Sequence, residues 1–386
     1  MTNWKTYKLG EVAEFINGRA YANDEFKEVG TPIVRIQNLT GEGKTVYSDL
    51  ELPPDKLIES GDLIYAWSAT FGPYIWKGPK SIYHYHIWKI ATVKNLADKH
   101  FLFYKLKFIS DELKSQGTGS IFTHITKSLI ENFETKLPEL QEQKRISSIL
   151  SSLDSKIELN LLMNQTLEGI AQTIFKEWFI NFKFPGFSGK LVDDLPKGWK
   201  VGSLRDICSS FKKSYNPKLE EGDMPYVGLE HIPRKSTSLW DWGHSSEINS
   251  QKAIFDKGDV LFGKLRPYFH KVVIAPIQGI CSTDILVLRS NERFMQVYSL
   301  MQLSSDDCIE YANSHSDGTR MPRVNWDSLS KYPVVIPSEQ VLKYFQETMT
   351  PLIEKMYCNI FENQTLALLR DNLLPRLLTG KIEVKK

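Results

Sequence analysis

Seam residues recur at alternating intervals of four and three in two separate stretches of this chain. The first stretch runs through Ile146, Leu150, Leu153, Ile157, Asn160, Asn164, Leu167, Ala171, Ile174 and Trp178. The second runs through Phe345, Met349, Leu352, Met356, Asn359, Asn363, Leu366, Arg370, Leu373 and Leu377. Alternating four-three spacing makes a helical seam that faces a partner helix. Each stretch covers roughly 40 residues, or about 60 Å as helix at ~1.5 Å per residue. Two seam positions in each are asparagine, which costs stability in a seam and is tolerated where it fixes register. The asparagines lie near the middle of each stretch, and antiparallel pairing brings middles together. The pattern therefore predicts one intramolecular antiparallel coiled coil held in register by Asn160, Asn164, Asn359 and Asn363. Pro351 and Pro375 are expected to kink or end the second helix, because proline removes a backbone donor and clashes one turn back.

The two stretches belong to a longer repeat. Asn160-Leu161-Leu162-Met163-Asn164-Gln165-Thr166-Leu167 returns as Asn359-Ile360-Phe361-Glu362-Asn363-Gln364-Thr365-Leu366, a displacement of 199 residues in a chain of 386. Leu137-Pro138 matches Ile336-Pro337 at the same offset, and Gln141 matches Gln340. Upstream the offset drifts: Ser60-Gly61-Asp62-Leu63-Ile64-Tyr65 corresponds to Lys257-Gly258-Asp259-Val260-Leu261-Phe262, and Trp4-Lys5 to Trp199-Lys200. A long-period repeat decides the fold before any local feature does. The helical parts agree well and the globular parts poorly, so something stays the same for the helices while the modules differ.

The fold class that follows is α+β, with two mixed α/β modules joined by two long antiparallel helices in an internal pseudo-two-fold repeat. The expected divisions are 1–138, a first helix over 139–181, a linker over 182–197, a second module over 198–337, and a second helix with tail over 338–386. Ile82 to Ile90 is a β-branched and aromatic run, with Ile285-Leu286-Val287-Leu288 as its shorter counterpart. Phe184-Pro185-Gly186-Phe187-Ser188-Gly189 and Leu195-Pro196-Lys197-Gly198-Trp199 punctuate the linker. Thr379-Gly380-Lys381-Ile382 resembles Ser188-Gly189-Lys190-Leu191, so the tail is expected near Trp4.

A net charge of +2 with 24% charged residues argues against a polybasic tail binder. The start has no apolar run of signal-peptide type and no stretch is long enough to span a membrane, so a cytoplasmic location is expected. Cys208, Cys281, Cys308 and Cys358 show no C-x-x-C spacing and are expected to be reduced thiols. His84 and His86 are expected on one strand face, without a third ligand at metal-site spacing.

No catalytic motif in the chain is complete. Gly41-Glu42-Gly43-Lys44-Thr45 ends like a phosphate loop, but Asn38 stands where the motif needs glycine. Leu52-Pro53-Pro54-Asp55 lacks the leading amide and trailing aromatic residue of an adenine-methyltransferase motif. A doubled enzyme duplicates its catalytic residues, and none recur, so binding is the expected role. In the first module the candidate DNA contacts are Arg35, Trp67, Ser68, Thr70, Lys77, Lys80, His84 and His86, followed by Thr118, Ser120, Thr123 and His124. In the second they are Lys264, Arg266, Tyr268, Lys271, Thr319, Arg320 and Arg323. These residue types contact phosphates, and Arg or Lys pairs bidentately with guanine. Their recurrence after corresponding turns is what singles them out.

The chain resembles, over nearly its whole length, a specificity subunit of a type I restriction-modification system. The carriers are the helix start Leu137-Pro138-Glu139-Leu140-Gln141-Glu142-Gln143-Lys144-Arg145-Ile146, then Asn164-Gln165-Thr166-Leu167, Ile174-Phe175-Lys176-Glu177-Trp178-Phe179 and Leu195-Pro196-Lys197-Gly198-Trp199. Gly61-Asp62-Leu63-Ile64 and Gly117-Thr118-Gly119-Ser120 fit the family's target-recognition pattern. The resemblance implies a non-catalytic chain whose two target-recognition domains each read half of a split site in double-stranded DNA. It implies helices that space the domains and dock two adenine-methyltransferase subunits, with motor-nuclease subunits joining the complex. Methyl donor, magnesium and ATP then belong to the partners, and this chain needs no cofactor. Arg370 departs from seam chemistry where its counterpart is Ala171. Two other roles fit the same residues: a modification-only or phage-exclusion system, and a scaffold carrying two protein-binding modules.

Overall fold

A computed structural model of the chain describes residues 4–41, 43–116, 124–217 and 222–384. Both heptad stretches are helical. The first runs Leu140–Phe175 and continues as a π-helical turn over Lys176–Ile180, and the second runs Glu339–Leu378. Every seam position is buried or half-buried. Neither proline ends the second helix, which passes through both. Pro351 is exposed, which leaves water within reach of the backbone carbonyl that loses its donor one turn back.

The chain divides into two compact units, Met1–Lys156 with Thr365–Lys386, and Ile157–Gln364. The first unit holds two four-stranded sheets. One is antiparallel in the order Ala13–Asn17, Ile87–Thr92, Leu63–Ala66, Gly72–Ile75; the other has the order Val46–Ser48, Thr31–Val34, Ser81–Tyr83, Leu57–Ile58. In the second sheet Thr31–Val34 runs parallel to Ser81–Tyr83. The helix Lys99–Ser115, capped by Asp98, buries Phe101, Leu102, Leu106, Ile109 and Leu113. These share one apolar cluster with Phe15, Leu63 and Trp88, and with Ile146, Leu150, Leu374 and Leu377 of the long helices. Lys105 on the same helix is buried beside Trp4 and donates from Nζ to the Leu378 carbonyl at 3.0 Å. It thereby satisfies an orphan acceptor at the helix end, while burial lowers its pKa to about 8. Ile382 and Val384 pack on the cluster that Trp4 joins, the place the repeat assigns to the tail.

The second unit repeats this plan. Its first sheet has the order Cys208–Ser210, Ile285–Ser290, Val260–Gly263, Val272–Ile274. Its second has the order Gly243–His244, Pro225–Val227, Gly279–Cys281, Lys252–Phe255, with Ser214–Tyr215 added at the edge. The duplicated Gly-Asp turns share a conformation and a hydrogen bond. Gly61 and Gly258 take φ of 90° and 93°, a left-handed conformation that glycine adopts without steric cost. The Asp62 and Asp259 carboxylates each accept from the backbone N–H three residues earlier at 2.8 Å. The α+β architecture with an internal repeat is thus the one expected.

A second local expectation fails. Ile82 to Ile90 is not a single strand: Ser81–Tyr83 and Ile87–Thr92 lie in different sheets. A turn at His84–His86 joins them, closed by the Ile87 N–H donating to the His84 carbonyl at 3.0 Å. Tyr83 and Ile87 are both fully buried, and the chain must cross from one sheet to the other to bury them. His84 and His86 therefore share a turn rather than a strand face. All four cysteines are free thiols, with Cys358 exposed and the others buried.

Candidate nucleic-acid interface

The asparagines form a pseudo-two-fold network inside the second unit. Asn160 Nδ2 donates to Asn363 Oδ1 at 2.8 Å, and its equivalent Asn359 Nδ2 donates to Asn164 Oδ1 at 2.8 Å. Asn164 Nδ2 donates to the Met356 carbonyl at 3.3 Å, and Asn363 Nδ2 to the Ile157 carbonyl at 3.1 Å. Partner numbers fall as residue numbers rise, so the helices run antiparallel here. Each bond reappears 199 residues on with donor and acceptor roles kept. One contact breaks the symmetry, Asn160 Nδ2 donating to Glu362 Oε2 at 2.8 Å, because the residue equivalent to Glu362 is Met163. Amides buried in an apolar seam need partners, and this register supplies an acceptor to all four Nδ2 groups while leaving Oδ1 of Asn160 and Asn359 unpartnered.

In the first module the strands Leu63–Ala66 and Gly72–Ile75 form a hairpin whose tip is Trp67 to Phe71. Ser68 is buried and makes an isolated bridge to His124. Trp67 packs against His86 and His124, with ring centroids 5.0 and 5.7 Å away, and stacks on Trp88 at 5.7 Å. His84 stacks on Tyr21 at 6.4 Å and lies 4.9 Å from His86. Thr70 is half-buried at the same tip. Burial, with His86 and Arg35 nearby, lowers the His84 pKa to about 4; burial and His124 lower that of His86. At neutral pH both rings are uncharged, so they offer hydrogen bonds and stacking rather than a cation for phosphate. Arg35 donates to the Lys44 carbonyl at 2.9 Å and covers the Phe26 ring.

Lys77 and Lys80 do not join this cluster. They follow the far end of the hairpin, where the Trp76 N–H donates to the Asp62 carbonyl, and Lys80 faces Glu59 at 3.7 Å. No helix opens after Lys44-Thr45, and the next element is the strand Val46–Ser48, which is not how a phosphate loop continues. Thr118, Ser120 and Thr123 lie outside the described residues.

The second module gathers its candidates more tightly. Lys264, Arg266, Tyr268 and Lys271 all lie in one hairpin tip between Val260–Gly263 and Val272–Ile274. The tip contains the 3-10 turn Pro267–Phe269, flanked by Arg266 and His270 in left-handed conformations with φ of 50° and 51°. Tyr268 is exposed, whereas Lys271 donates to the Leu229 carbonyl, with burial lowering its pKa. The turn that carries Thr319 and Arg320 closes through reciprocal 2.9 Å bonds between the backbones of Asp317 and Arg323. The Arg266 N–H donates to the Pro322 carbonyl at 2.7 Å, tying that turn to the tip. Arg320 and Thr319 are exposed.

The two modules place three side chains at equivalent backbone positions. The Ile125 N–H donates to the Trp67 carbonyl as that of Val324 does to Lys264, and the Trp67 N–H donates to the His86 carbonyl as that of Lys264 does to Asp284. Ser68 bridges His124 as Leu265 bridges Arg323. Hence Trp67, His86 and His124 correspond to Lys264, Asp284 and Arg323. An aromatic and imidazole set in one module is a charged set in the other. Tyr21, Tyr85 and Asp284 also belong to these sites, though no sequence motif marks them. Tyr85 stands between two chosen histidines and packs 4.0 Å from the His86 ring. Asp284 pairs with Arg323 at 2.9 Å, and the only local hint was an arginine in need of a carboxylate.

A profile of the family described as type I restriction modification DNA specificity domain matches this chain twice, over residues 1–169 and 196–366. The chain belongs to that family, whose members supply DNA specificity and not catalysis. It is 25% identical to the type I restriction enzyme HindI specificity subunit of Haemophilus influenzae, across 99% of this chain and 100% of that one. It is 27% identical to the MjaIX specificity subunit of Methanocaldococcus jannaschii, across 74% of this chain and 69% of that one. The crystal structure of a type I restriction-modification system S subunit from M. genitalium shares the fold, with a TM-score of 0.62 at 15% identity over 98% and 96% of the two chains. Among the described residues no helix is long and apolar enough to cross a membrane, and no group of three His, Cys, Asp or Glu side chains is placed to hold a metal.

Proposed function

We propose that each module reads one half of a bipartite DNA site, and that the long helices set the gap between the halves. The observation that carries this reading is the contrast within the repeat. The helix asparagines keep their bonds under a 199-residue shift, while three equivalent module positions exchange Trp, His and His for Lys, Asp and Arg. Helices that repeat one seam suit two copies of one partner, and dissimilar tips suit two different half-sites. On this reading 1–138 and 198–337 are the recognition domains, 139–181 and 338–386 carry the spacer helices, and 182–197 links the first helix to the second domain. The helices dock two adenine-methyltransferase subunits, through which motor-nuclease subunits join.

The DNA-facing groups are Trp67, Thr70, His84, His86 and His124 in the first domain, and Lys264, Arg266, Tyr268, Thr319, Arg320 and Arg323 in the second, whereas Ser68 is buried beneath the first tip. Major-groove edges carry the donor and acceptor code that such side chains read. The test is to co-express the chain with its methyltransferase and map methylated adenines. Two short halves separated by a fixed gap are expected, and the assembled complex should hold two methyltransferase copies per chain. A contiguous motif, or methylation without sequence preference, overturns the proposal.

A further inference from the structure

The second module holds a charged pair whose geometry assigns it a narrower task. Arg323 donates from Nε to Asp284 Oδ1 at 2.9 Å and from Nη2 to Oδ2 at 3.4 Å. The Arg323 side chain is 43% exposed and that of Asp284 29%. An ion pair this exposed adds little to fold stability, yet both residues are held closely by backbone. Arg323 is fixed on each side of its peptide by the bonds to Asp317, and the Asp284 carbonyl accepts from the Lys264 N–H at 2.9 Å. Arg323 lines a cleft together with Lys212, Lys264, Asp317 and Asn325.

We propose that Asp284 is a positioning residue that presents Arg323 end-on to a guanine in the half-site read by the second module. A guanidinium carries five N–H donors in a rigid fork. Asp284 takes the Nε–H and one hydrogen of Nη2, and the Met321 carbonyl stands 3.5 Å from Nη1. One hydrogen remains on each terminal nitrogen, and these two point outward in parallel. That is the pair guanine accepts at O6 and N7. Side-on and end-on edges are separate, so one carboxylate and one guanine are served at once. With the Arg323 guanidinium held by the carboxylate, less freedom is lost on binding. In the first module His86 and His124 occupy the equivalent places, and no fork exists there. The proposal rests on the second module being a DNA-reading domain.

The test uses the chain in complex with its methyltransferase and compares Arg323→Ala, Arg323→Lys, Asp284→Asn and the unmodified protein. Methylated motifs are mapped, and binding is measured on the motif with guanine or 7-deazaguanine at the affected position. Arg323→Ala should erase the guanine preference at one position of one half-site, a loss of about 5- to 150-fold in discrimination. Arg323→Lys, which keeps the charge without the fork, should relax the same position and shows the effect even if the alanine variant folds poorly. The 7-deazaguanine penalty should be present in the unmodified complex and absent from Arg323→Ala. Asp284→Asn should reduce guanine discrimination while non-specific binding stays equal or tightens, because a negative charge beside DNA is gone. If Asp284→Asn leaves the preference intact while Arg323→Ala removes it, Asp284 does not position Arg323. If Arg323→Ala weakens every sequence alike and lowers the salt slope by about one, Arg323 holds phosphate and the proposal falls. If both arginine variants relax the other half-site, the assignment of modules to half-sites is what fails.

Discussion

Arg370 Nη1 meets Asp154 Oδ1 at 2.7 Å, where the pseudo-two-fold mates of the two residues, Ala171 and Ile353, are both buried in one apolar cluster. Asp154 also accepts from the Tyr104 hydroxyl at 2.7 Å, so the ion pair ties the first module's own helix to the long-helix seam within that unit. Arginine at a seam position is thereby accounted for: its charge is matched by a carboxylate that replaces an isoleucine.

Arg370→Ala should destabilise the chain by about 1–3 kcal/mol, since it leaves Asp154 partly buried without its cation. Adding Asp154→Ile should recover part of that loss, because a well-packed apolar pair often equals a buried ion pair. Denaturant melts of the two single variants and the double variant decide it; additive losses would mean that the seam does not couple these positions.

Replacing Asn160 and Asn164 with leucine should preserve folding and loosen register, since leucine suits a seam but removes the bonds that select one alignment. Spin labels on the two helices within the second unit should then report more than one distance. A single distance unchanged from the unmodified chain would show that the modules, not the amides, fix the alignment.

A heptad inserted after Leu153, with its match after Leu352, lengthens each helix by roughly 10 Å at 1.5 Å per residue. The methylated motif should keep both halves and widen its gap by about three base pairs at 3.4 Å each. An active variant with the original gap would remove the helices from the spacing role.

The histidines predict a pH dependence confined to acid. His84 titrates near 4 against an ordinary 6.5, so the unfolded chain binds its proton first as pH falls. Stability should be fully retained above about 6.5 and decline from there toward 4, with a contribution of the same sign from His86. At pH 7.5 both rings are neutral. His84→Gln with His86→Gln should then leave the salt slope of DNA binding unchanged, whereas Lys264→Ala should lower it by about one if that lysine contacts phosphate. A smaller slope for the histidine pair at that pH would mean they carry charge on the DNA.

The sequence by itself determined the repeat, the two long helices and the meeting of Asn160 or Asn164 with Asn359 or Asn363, while the folded helices decided that Asn160 meets Asn363 and Asn164 meets Asn359. Helical periodicity is local, and a pseudo-two-fold repeat pairs equivalent positions without further information, so a one-dimensional pattern sufficed. Periodicity did not determine where Lys77 and Lys80 sit, that His84 and His86 share a turn between sheets, or that Asp284 holds Arg323. Those depend on which strands pair and where each hairpin reverses, and several strands that pair here come from segments dozens of residues apart. Helix-breaking by Pro351 was likewise overruled, because an exposed proline forfeits one hydrogen bond while the buried face of the helix keeps its packing. Tertiary packing decided which side chains reach the tips, since only the folded sheets bring the ends of separate segments within hydrogen-bonding distance.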